Sequence, residues 1–284
     1  MFRTTFGVLQ RRFYHPRLHK KNVLITGASA GIGEACAREF AKEGSNLLLI
    51  PFQLKILAAR RADKLTRLKD ELLDKHKDIE IQTISLDVRK KSHIDDAFSK
   101  LDKKDDIDVL VNNAGLVIGL DHLIDVSEEA FDTMFETNVK GLVYVTQAVL
   151  PGMKANGKGH IINIGSVAVI LVEAFIVTDE QSETATKHAV DAITRSLLFE
   201  LMDTPIRVSQ ICPGMVNTEF STVRFHGDKE KADNVYKGVD PLVGQDIAEL
   251  VTFTASRPAH VNICDMLVFP TAQAAATTVY RKPQ

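Results

Sequence analysis

A glycine-rich turn near the start of the chain has residue types and a spacing that suit phosphate binding. The run T-G-A-S-A-G-I-G ends a short apolar segment and opens a helical pattern, and a helix N-terminus presents backbone N–H groups to an anion. Gly27 serves the turn, Gly31 lets backbone approach a pyrophosphate, and Gly33 allows the helix to pack on the strand. Ser29 and Ile32 lie in the same turn and are therefore also candidate cofactor-binding residues. The pattern predicts a dinucleotide site, although an ordinary turn would also use glycine.

Small or polar residues also follow each later predicted strand. Apolar runs at 79–86, 107–111, 159–164 and 207–211 are typical of buried parallel strands, and they alternate with amphipathic helices. Because the carboxyl ends of parallel strands share one edge, these residues should converge, and Asp87 could hold an adenine amino group. The sequence predicts an α/β fold: a single Rossmann-type doubly wound parallel sheet with helices on both faces. The residues at the strand ends are Asp87, Val88, Asn112, Asn113, Ala114, Gly115, Gly165, Ser166, Cys212, Pro213 and Gly214.

The second strand of such a unit must bring its carboxyl end to the adenosine ribose. We assign it to 56–59, because Pro51 would interrupt a central strand placed earlier, and we treat 46–55 as an insertion. Arg60 and Arg61 then follow the strand, where guanidinium groups would pair with a ribose 2′-phosphate. This favours NADP(H) over NAD(H). The alternative is a pair of solvated arginines that begin the next helix.

Composition and charge exclude several classes of function. The 284 residues have a formal net charge of −2 with acids and bases interspersed, which gives no basic field for nucleic acid or anionic lipid. Cys36, Cys212 and Cys264 are far apart and in apolar contexts, so they suit a reducing compartment and have no metal-binding spacing. The nearest approach to a membrane span, at 167–177, is interrupted by Glu173 and is too short. We expect a small-molecule substrate, with no nucleic acid and no membrane as partner.

The first 20 residues differ from the rest of the chain. They contain no acidic residue, and basic and apolar side chains are interspersed. An arginine-rich, acid-free start is similar to a mitochondrial presequence, and the alternative is a frayed basic tail. We therefore divide the chain into a basic extension at 1–20 and one NADP-binding Rossmann-type domain at 21–284. The expected location is the cytoplasm, or the mitochondrial matrix if the extension is a targeting segment.

After Lys20, nearly the whole chain resembles the short-chain dehydrogenase/reductase family. The segments 218–228 and 267–274 resemble more narrowly the fungal and bacterial NADP-dependent 3-hydroxy acid dehydrogenases, which oxidise serine, allo-threonine and related β-hydroxy acids. The resemblance implies an NADP(H)-dependent oxidoreductase that acts on CH–OH donors, assembled as a homodimer or homotetramer. The motifs that carry it are the glycine turn, Asp87-Val88, N-N-A-G at 112–115, Asn138 in T-N-V, Gly165-Ser166, Lys187, and Pro213-Gly214 with Thr218.

The resemblance also implies roles for particular residues. Ser166 would hydrogen-bond the reacting carbonyl or hydroxyl, Asn138 would hold a helix and a water of the proton relay, and Lys187 would bind the nicotinamide ribose. Asn113 would lie near the cofactor and Thr218 near the nicotinamide amide. Ser166, Asn138 and Lys187 are therefore the expected catalytic residues.

One catalytic position departs from the family pattern. The family's acid/base tyrosine stands four residues before the lysine, and here that position is Glu183; the Ser166-to-Lys187 spacing is also longer than in the family. A phenol beside an ammonium can take and give a proton near neutral pH, whereas a glutamate beside Lys187 is held ionised and supplies none. General acid/base catalysis typically contributes about 10² to 10⁴-fold. We therefore expect hydride transfer to be severely reduced or absent.

Two apolar segments, 46–55 and 167–183, do not match the family, although the sequence on either side of each does. Our hypothesis is that both are translated non-coding sequence such as retained introns, so that the sequence is a mis-spliced form of an active dehydrogenase. The other alternative is a catalytically inactive NADP(H)-binding protein. For the active form, a cation should meet the substrate carboxylate, and Arg224 in the predicted lid is the candidate, with a solvated lid arginine as the alternative.

Overall fold

The computed structural model describes residues 16–51, 58–101, 104–119, 124–170 and 181–282, with backbone only at 58–61, 169–170 and 181–183. The strands in these ranges are β1 (Asn22–Thr26), β2 (Asn46–Ile50), β3 (Ile81–Thr83), β4 (Val109–Asn112), β5 (Gly159–Ile164), β6 (Ile206–Pro213), β7 (Val216–Asn217), β8 (Leu242–Val243) and β9 (Asp265–Val268). Seven of these described strands form one sheet in the order β3-β2-β1-β4-β5-β6-β9, and each neighbouring pair is parallel. The predicted α/β class and parallel sheet are confirmed.

Helices cover both faces of this sheet, as predicted. Successive residues of β1 point to opposite sides, so Val23 and Ile25 lie in one apolar cluster and Leu24 in the other. Helices α1, α2 and α9 supply the first cluster, and α3, α5 and α6 supply the second. The α-helices are α1 (Gly31–Lys42), α2 (Ala58–Lys75), α3 (Lys91–Ser99), α4 (Glu128–Phe135), α5 (Leu142–Ala155), α6 (Gln181–Glu200), α7 (Glu219–Arg224), α8 (Lys229–Asn234) and α9 (Gly244–Ala255).

The predicted position of the second strand is wrong. β2 occupies Asn46–Ile50 and pairs in register with the whole of β1, whereas Ala58 and Ala59, which we had assigned to a strand, lie in α2. Pro51 follows the last paired residue of β2, so its missing N–H removes no ladder hydrogen bond. The insertion therefore does not begin at residue 46. Residues 52–57 lie outside the described ranges.

Asn138 lies in a π-helical turn, Glu136–Gly141, that joins α4 to α5. α5 therefore continues a helix that begins at Glu128, ten residues before Asn138. A π turn inserts extra residues into an α-helix and is frequent at functional sites. At Gly141 the turn packs so closely on Val88 that an added Cβ would lie 2.9 Å from Val88 Cγ2. The contact between Gly141 and Val88 therefore fixes the backbone position of the π turn, and with it the position of Asn138.

No helix in the described ranges is long and apolar enough to cross a membrane. In the same ranges, no group of three or more His, Cys, Asp or Glu residues is placed to hold a metal ion. Residues 1–15, most of the predicted basic extension, lie outside the description.

Candidate active site

A cavity of about 500 Å³ opens at the carboxyl edge of the sheet. It lies where the strand order reverses between β1 and β4, which is where open α/β sheets bind their ligands. Its walls come from the glycine turn, the ends of β4, β5 and β6, the region of α7, and the C-terminal residues. The sequence-predicted residues that line it are Gly27, Gly31, Ile32, Asn113, Ala114, Gly115, Gly165, Ser166, Lys187, Pro213, Gly214, Thr218 and Arg224.

The glycine turn has a backbone that other residues would strain. Gly27 and Gly31 have φ angles of +70° and +57°. At Gly33 the constraint is contact, because an added Cβ would lie 2.4 Å from the carbonyl oxygen of Gly27. No side chain caps α1 at Ala30, which leaves the N–H groups of the first turn for an anion.

The buried hydroxyl of Ser29 also fits an anionic ligand. The side chain is 2% exposed, and its Oγ has no hydrogen-bond partner among the described residues. A buried donor left unsatisfied costs roughly 1–3 kcal/mol. A phosphate oxygen of a dinucleotide would be an acceptor for it, so the residues of the turn fit the phosphates of such a group.

Asn113 joins the glycine turn to the end of β4. Its Nδ2 donates to the carbonyl oxygens of Thr26 (3.0 Å) and Gly27 (3.3 Å). Thr26 Oγ1 in turn accepts from the backbone N–H groups of Asn113 (3.0 Å) and Ala114 (2.9 Å). The two strand ends that flank the switch point are therefore locked together on the cavity wall.

Asp87 and Val88 do not line the cavity. The Asp87 carboxylate accepts from Arg89 through Nε at 2.9 Å and Nη2 at 2.6 Å. Burial raises the pKa of Asp87, but the hydrogen bonds and charge of Arg89 outweigh this and hold that pKa below its usual value. An adenine amino group would have to share oxygens that Arg89 already uses. Val88 is buried and packs on the π turn.

The Asn138 side chain lies behind the cavity wall and bonds within the protein. It is 3% exposed; Oδ1 accepts from the backbone N–H of Leu116 at 2.8 Å, and Nδ2 donates to the carbonyl oxygen of Leu116 at 2.8 Å. Nδ2 also donates to Thr186 Oγ1 at 3.0 Å. These bonds tie the π turn and the loop after β4 to α6, the helix that carries Lys187.

Lys187 and Ser166 both face the cavity beside this junction. Lys187 Nζ donates to the carbonyl oxygen of Ile164 at 3.2 Å, and Ser166 Oγ accepts from a backbone N–H two residues further on at 3.2 Å. An added Cβ at Gly115 would lie 3.4 Å from Asn138 Oδ1 and 3.8 Å from Lys187 Nζ. The three predicted catalytic residues therefore lie around the ends of β4 and β5.

Three predicted positions are described by backbone alone. Glu183 lies in the first turn of α6, one helical turn before Lys187 and hence on the same face of the helix. Arg60 and Arg61 lie in the first turn of α2 rather than at a strand end. Pairing of these arginines with a 2′-phosphate stays a prediction. Residues 171–180 lie outside the description.

Sequence analysis missed many of the residues that line the cavity, and three of these form hydrogen bonds that connect segments of its wall. They are Tyr236, which follows α8, and Gln273 and Arg281 in the C-terminal segment. Gln273 lies in the segment 267–274 that resembles the 3-hydroxy acid dehydrogenases, but the resemblance gave it no role. Tyr236 and Arg281 belong to no pattern that predicts a site. Only the folded chain brings them to the cavity.

Basic side chains outnumber acidic ones in the described wall of the cavity. Lys187, Arg224 and Arg281 are the cations, and Glu219 is the carboxylate. Glu219 forms an ion pair with Lys64 of α2. The guanidinium of Arg224 lies 5.6 Å from the centre of the Phe220 ring. The net positive wall favours an anionic ligand.

The family model for short chain dehydrogenases matches residues 21–229. The chain is 44% identical to the NADP-dependent 3-hydroxy acid dehydrogenase of Schizosaccharomyces pombe over 267 residues, 94% of this chain and 98% of the relative. It is 40% identical to the NADP-dependent 3-hydroxy acid dehydrogenase YdfG of Escherichia coli K12 over 263 residues, 92% of this chain and 99% of the relative. A solved serine dehydrogenase in its closed form with NADP⁺ has 39% identity and a TM-score of 0.80, covering 92% of this chain and 100% of its own.

Proposed function

Because the chain belongs to the short-chain dehydrogenase family, we propose that it is an NADP(H)-dependent oxidoreductase for a small 3-hydroxy acid of the serine and allo-threonine class. The observation that carries the proposal is the single cavity wall that joins the glycine turn to Ser166 and Lys187. One end of this wall suits a pyrophosphate, and the other has polar groups that can handle a proton and a hydroxyl. The basic residues on the remaining wall suit a substrate carboxylate.

The cofactor is NADP(H), in line with the named relatives, and it supplies or accepts the hydride when bound. On this chain, the N–H groups of the first turn of α1 and the Ser29 hydroxyl would hold its phosphates. Pro213, Gly214 and Thr218 would lie along the nicotinamide end, and Arg60 and Arg61 would meet the 2′-phosphate.

The remaining steps belong to side chains of the protein. Ser166 Oγ orients the reacting hydroxyl or carbonyl by a hydrogen bond. Lys187 holds a positive charge beside the site and binds the nicotinamide ribose. Asn138 positions Lys187 through its bonds to Leu116 and Thr186, which fix α6 against the loop after β4.

Glu183 limits proton transfer in this scheme. A glutamate is ionised near neutral pH, so it accepts a proton but does not supply one for carbonyl reduction, and its side chain is shorter than that of a tyrosine. We therefore propose that this chain binds NADP(H) and 3-hydroxy acids but transfers hydride slowly or not at all. The same residue favours the second candidate function, a binding protein without catalysis.

A titration and a turnover assay separate these possibilities. NADPH and NADH are titrated into the purified chain by cofactor fluorescence, and the protein is then supplied with NADP⁺ and L-serine. Tight NADPH binding with measurable turnover supports the enzyme, and binding without turnover supports the second function. A folded protein with no affinity for either dinucleotide would contradict both candidate functions. Because 46–50 forms β2, the intron hypothesis is kept for 51–55 and 167–183 only. Sequencing the mature mRNA of the source cell tests it: a predominant mRNA that lacks these segments supports the hypothesis, and one that encodes both unchanged contradicts it.

Arg224 is proposed to meet the substrate carboxylate. Arg224 is the last residue of α7 and lines the cavity, so it brings a guanidinium to the wall of the site. The test is an Arg224→Ala change in a Glu183→Tyr background. KM for serine should rise while the NADPH dissociation constant stays the same; an unchanged KM contradicts the role.

A homodimer or homotetramer is proposed from the exposed apolar residues near the end of α6. Phe199 is 76% exposed and Met202 is 79% exposed, and a second copy of the chain would cover them. Light scattering after size exclusion tests this, and a monomer at micromolar concentration contradicts it.

The compartment is tested by fusing residues 1–20 to a fluorescent protein, since only a targeting segment would direct the fusion to mitochondria.

A further inference from the structure

The C-terminal residues form a hairpin against the cavity. Gln273 and Val279 pair in an antiparallel bridge, and the N–H of Tyr280 donates to the carbonyl oxygen of Ala272 at 2.8 Å. Residues of this hairpin line the cavity, among them Gln273 and Val279. Of the features described above, only the positive charge of the cavity wall includes a residue of this segment, Arg281.

Gln273 connects the hairpin to the loop after β6. The side chain is buried, Oε1 accepts from the backbone N–H of Met215 at 2.8 Å, and Nε2 donates to the carbonyl oxygen of Ala275 at 3.1 Å. An added Cβ at Gly214 would lie 2.3 Å from Gln273 Oε1. The glycine after Pro213 is therefore needed for this contact as well as for any approach to the cofactor.

Arg281 connects the other end of the hairpin to the segment after α8. Its Nη1 donates to the carbonyl oxygens of Val235 (3.1 Å) and Lys237 (2.6 Å). The backbone N–H of Lys282 donates to the carbonyl oxygen of Gly238 at 2.9 Å. Gly238 has a φ of +73°, and an added Cβ would lie 3.0 Å from the carbonyl oxygen of Lys282, so the two segments are in close contact.

The two carbonyl groups held by Arg281 flank Tyr236, which lines the cavity. The Tyr236 hydroxyl donates to the carbonyl oxygen of Val216 at 2.8 Å and lies 2.6 Å from Ser221 Oγ. Since its single proton goes to Val216, the phenolic oxygen accepts from Ser221. Both ends of Tyr236 are thus fixed, its backbone by the hairpin and its hydroxyl by β7 and α7.

We propose that residues 270–282 form the substrate-side wall of the site, with Gln273 and Arg281 as positioning residues that hold the loop after β6 and the Tyr236 ring in place. Tyr236 then belongs to the substrate-side wall, because it lines the cavity and its backbone and hydroxyl are both held by neighbouring segments. The inference rests on the proposed function for the identity of the substrate. The contacts of the hairpin do not depend on it.

The first test measures L-serine binding to the NADPH-saturated full-length protein, a combination that cannot react. Arg281→Ala should raise the serine dissociation constant roughly tenfold, because the wall is displaced, and should change the NADPH dissociation constant less than about twofold. The matched control is Arg257→Ala, since Arg257 also donates to a backbone carbonyl but at the end of α9, outside the cavity wall. Equal serine binding in the two variants overturns the proposal.

The second test needs no substrate. Hydrogen exchange by mass spectrometry compares the same variants with NADPH bound. Arg281→Ala should speed amide exchange over 216–238, whereas Arg257→Ala should not. If the unaltered protein binds NADPH but not serine, the substrate assignment fails. The exchange result alone then decides whether residues 270–282 hold the wall of the cavity in place. An unchanged exchange rate over 216–238 in Arg281→Ala contradicts the proposed role of the wall, even if the protein binds serine.

Discussion

Replacing Gly33 by alanine tests how the first turn of α1 approaches the strand end. The added Cβ would lie 2.4 Å from the carbonyl oxygen and 2.8 Å from the carbonyl carbon of Gly27, and 2.5 Å from Asn113 Nδ2. Two of these atoms belong to the backbone and cannot rotate away. To reach an ordinary contact of 3.4 Å, the helix and turn must separate by about 1 Å.

The cost of this separation has two parts. Overpacking of a closely packed contact destabilises by about 1–3 kcal/mol, which corresponds to a fall in Tm of about 2–12 °C for a protein of this size. The same shift moves the N–H groups of α1 away from the phosphate position, and a displacement of 1 Å can cost up to about 10²-fold in a positioned site. We expect the NADPH dissociation constant to rise at least tenfold, or about 1.4 kcal/mol.

The assay pairs thermal unfolding with NADPH titration, and Gly157→Ala is the matched control. Gly157 has a φ of +59° with no atom within 4 Å of an added Cβ, so alanine there brings backbone strain of about 1–2 kcal/mol without a clash. Both variants should lose Tm, and only Gly33→Ala should lose NADPH affinity. If the two variants bind NADPH equally well, the glycine turn does not hold the phosphates as we infer.

Three further predictions concern buried polar groups. Ser29→Ala should leave apo-protein stability unchanged or raised, since it removes an unsatisfied hydroxyl, and should weaken NADPH binding; unchanged binding would rule out the hydroxyl as a phosphate ligand. Asn138→Ala, which leaves a buried N–H and C=O unpaired, should cost roughly 2–6 kcal/mol in urea unfolding, against little change for exposed Asn156→Ala, and a loss below 1 kcal/mol would contradict the bonds described. Burial first, then the charge of Arg207, holds the pKa of His160 well below its usual value, so below about pH 6.5 the unfolded chain takes up a proton that the folded chain does not. Stability should fall there by up to about 1.4 kcal/mol per pH unit, and His160→Gln should flatten that slope, which urea unfolding from pH 5 to 7 measures.

Sequence patterns predicted the sheet well because buried parallel strands have strong local signals. β5 occupies 159–164 as predicted, and β4 and β6 lie within two residues of their predicted bounds. The strand predicted at 79–86 is shorter in the structure, because β3 covers only 81–83. The error at β2 came from treating Pro51 as an interruption inside a strand. The proline instead follows the strand, and pairing with β1, a long-range contact, decides the assignment.

The site was predicted where it depends on local chain chemistry and missed where it depends on tertiary contact. Gly27 and Gly31 require positive φ angles, which a glycine pattern indicates directly. The partners of Asn138 and Gln273 stand 22 and 58 residues away, so no local pattern could indicate them. Asp87 was predicted directly after a strand, but β3 ends four residues earlier at Thr83, and the pairing of Asp87 with Arg89 depends on burial that spacing does not indicate.

The most direct test of the central claim is hydride transfer from L-serine to NADP⁺ in three versions of the chain: unaltered, Glu183→Tyr, and Glu200→Tyr as a control at the exposed last residue of α6. If the cavity is a dehydrogenase site that lacks only its acid/base group, all three should bind NADPH, and Glu183→Tyr should have a kcat about 10² to 10⁴-fold above the other two. Equal turnover in the Glu183→Tyr and Glu200→Tyr proteins, or no NADPH affinity in a folded sample, would contradict that claim.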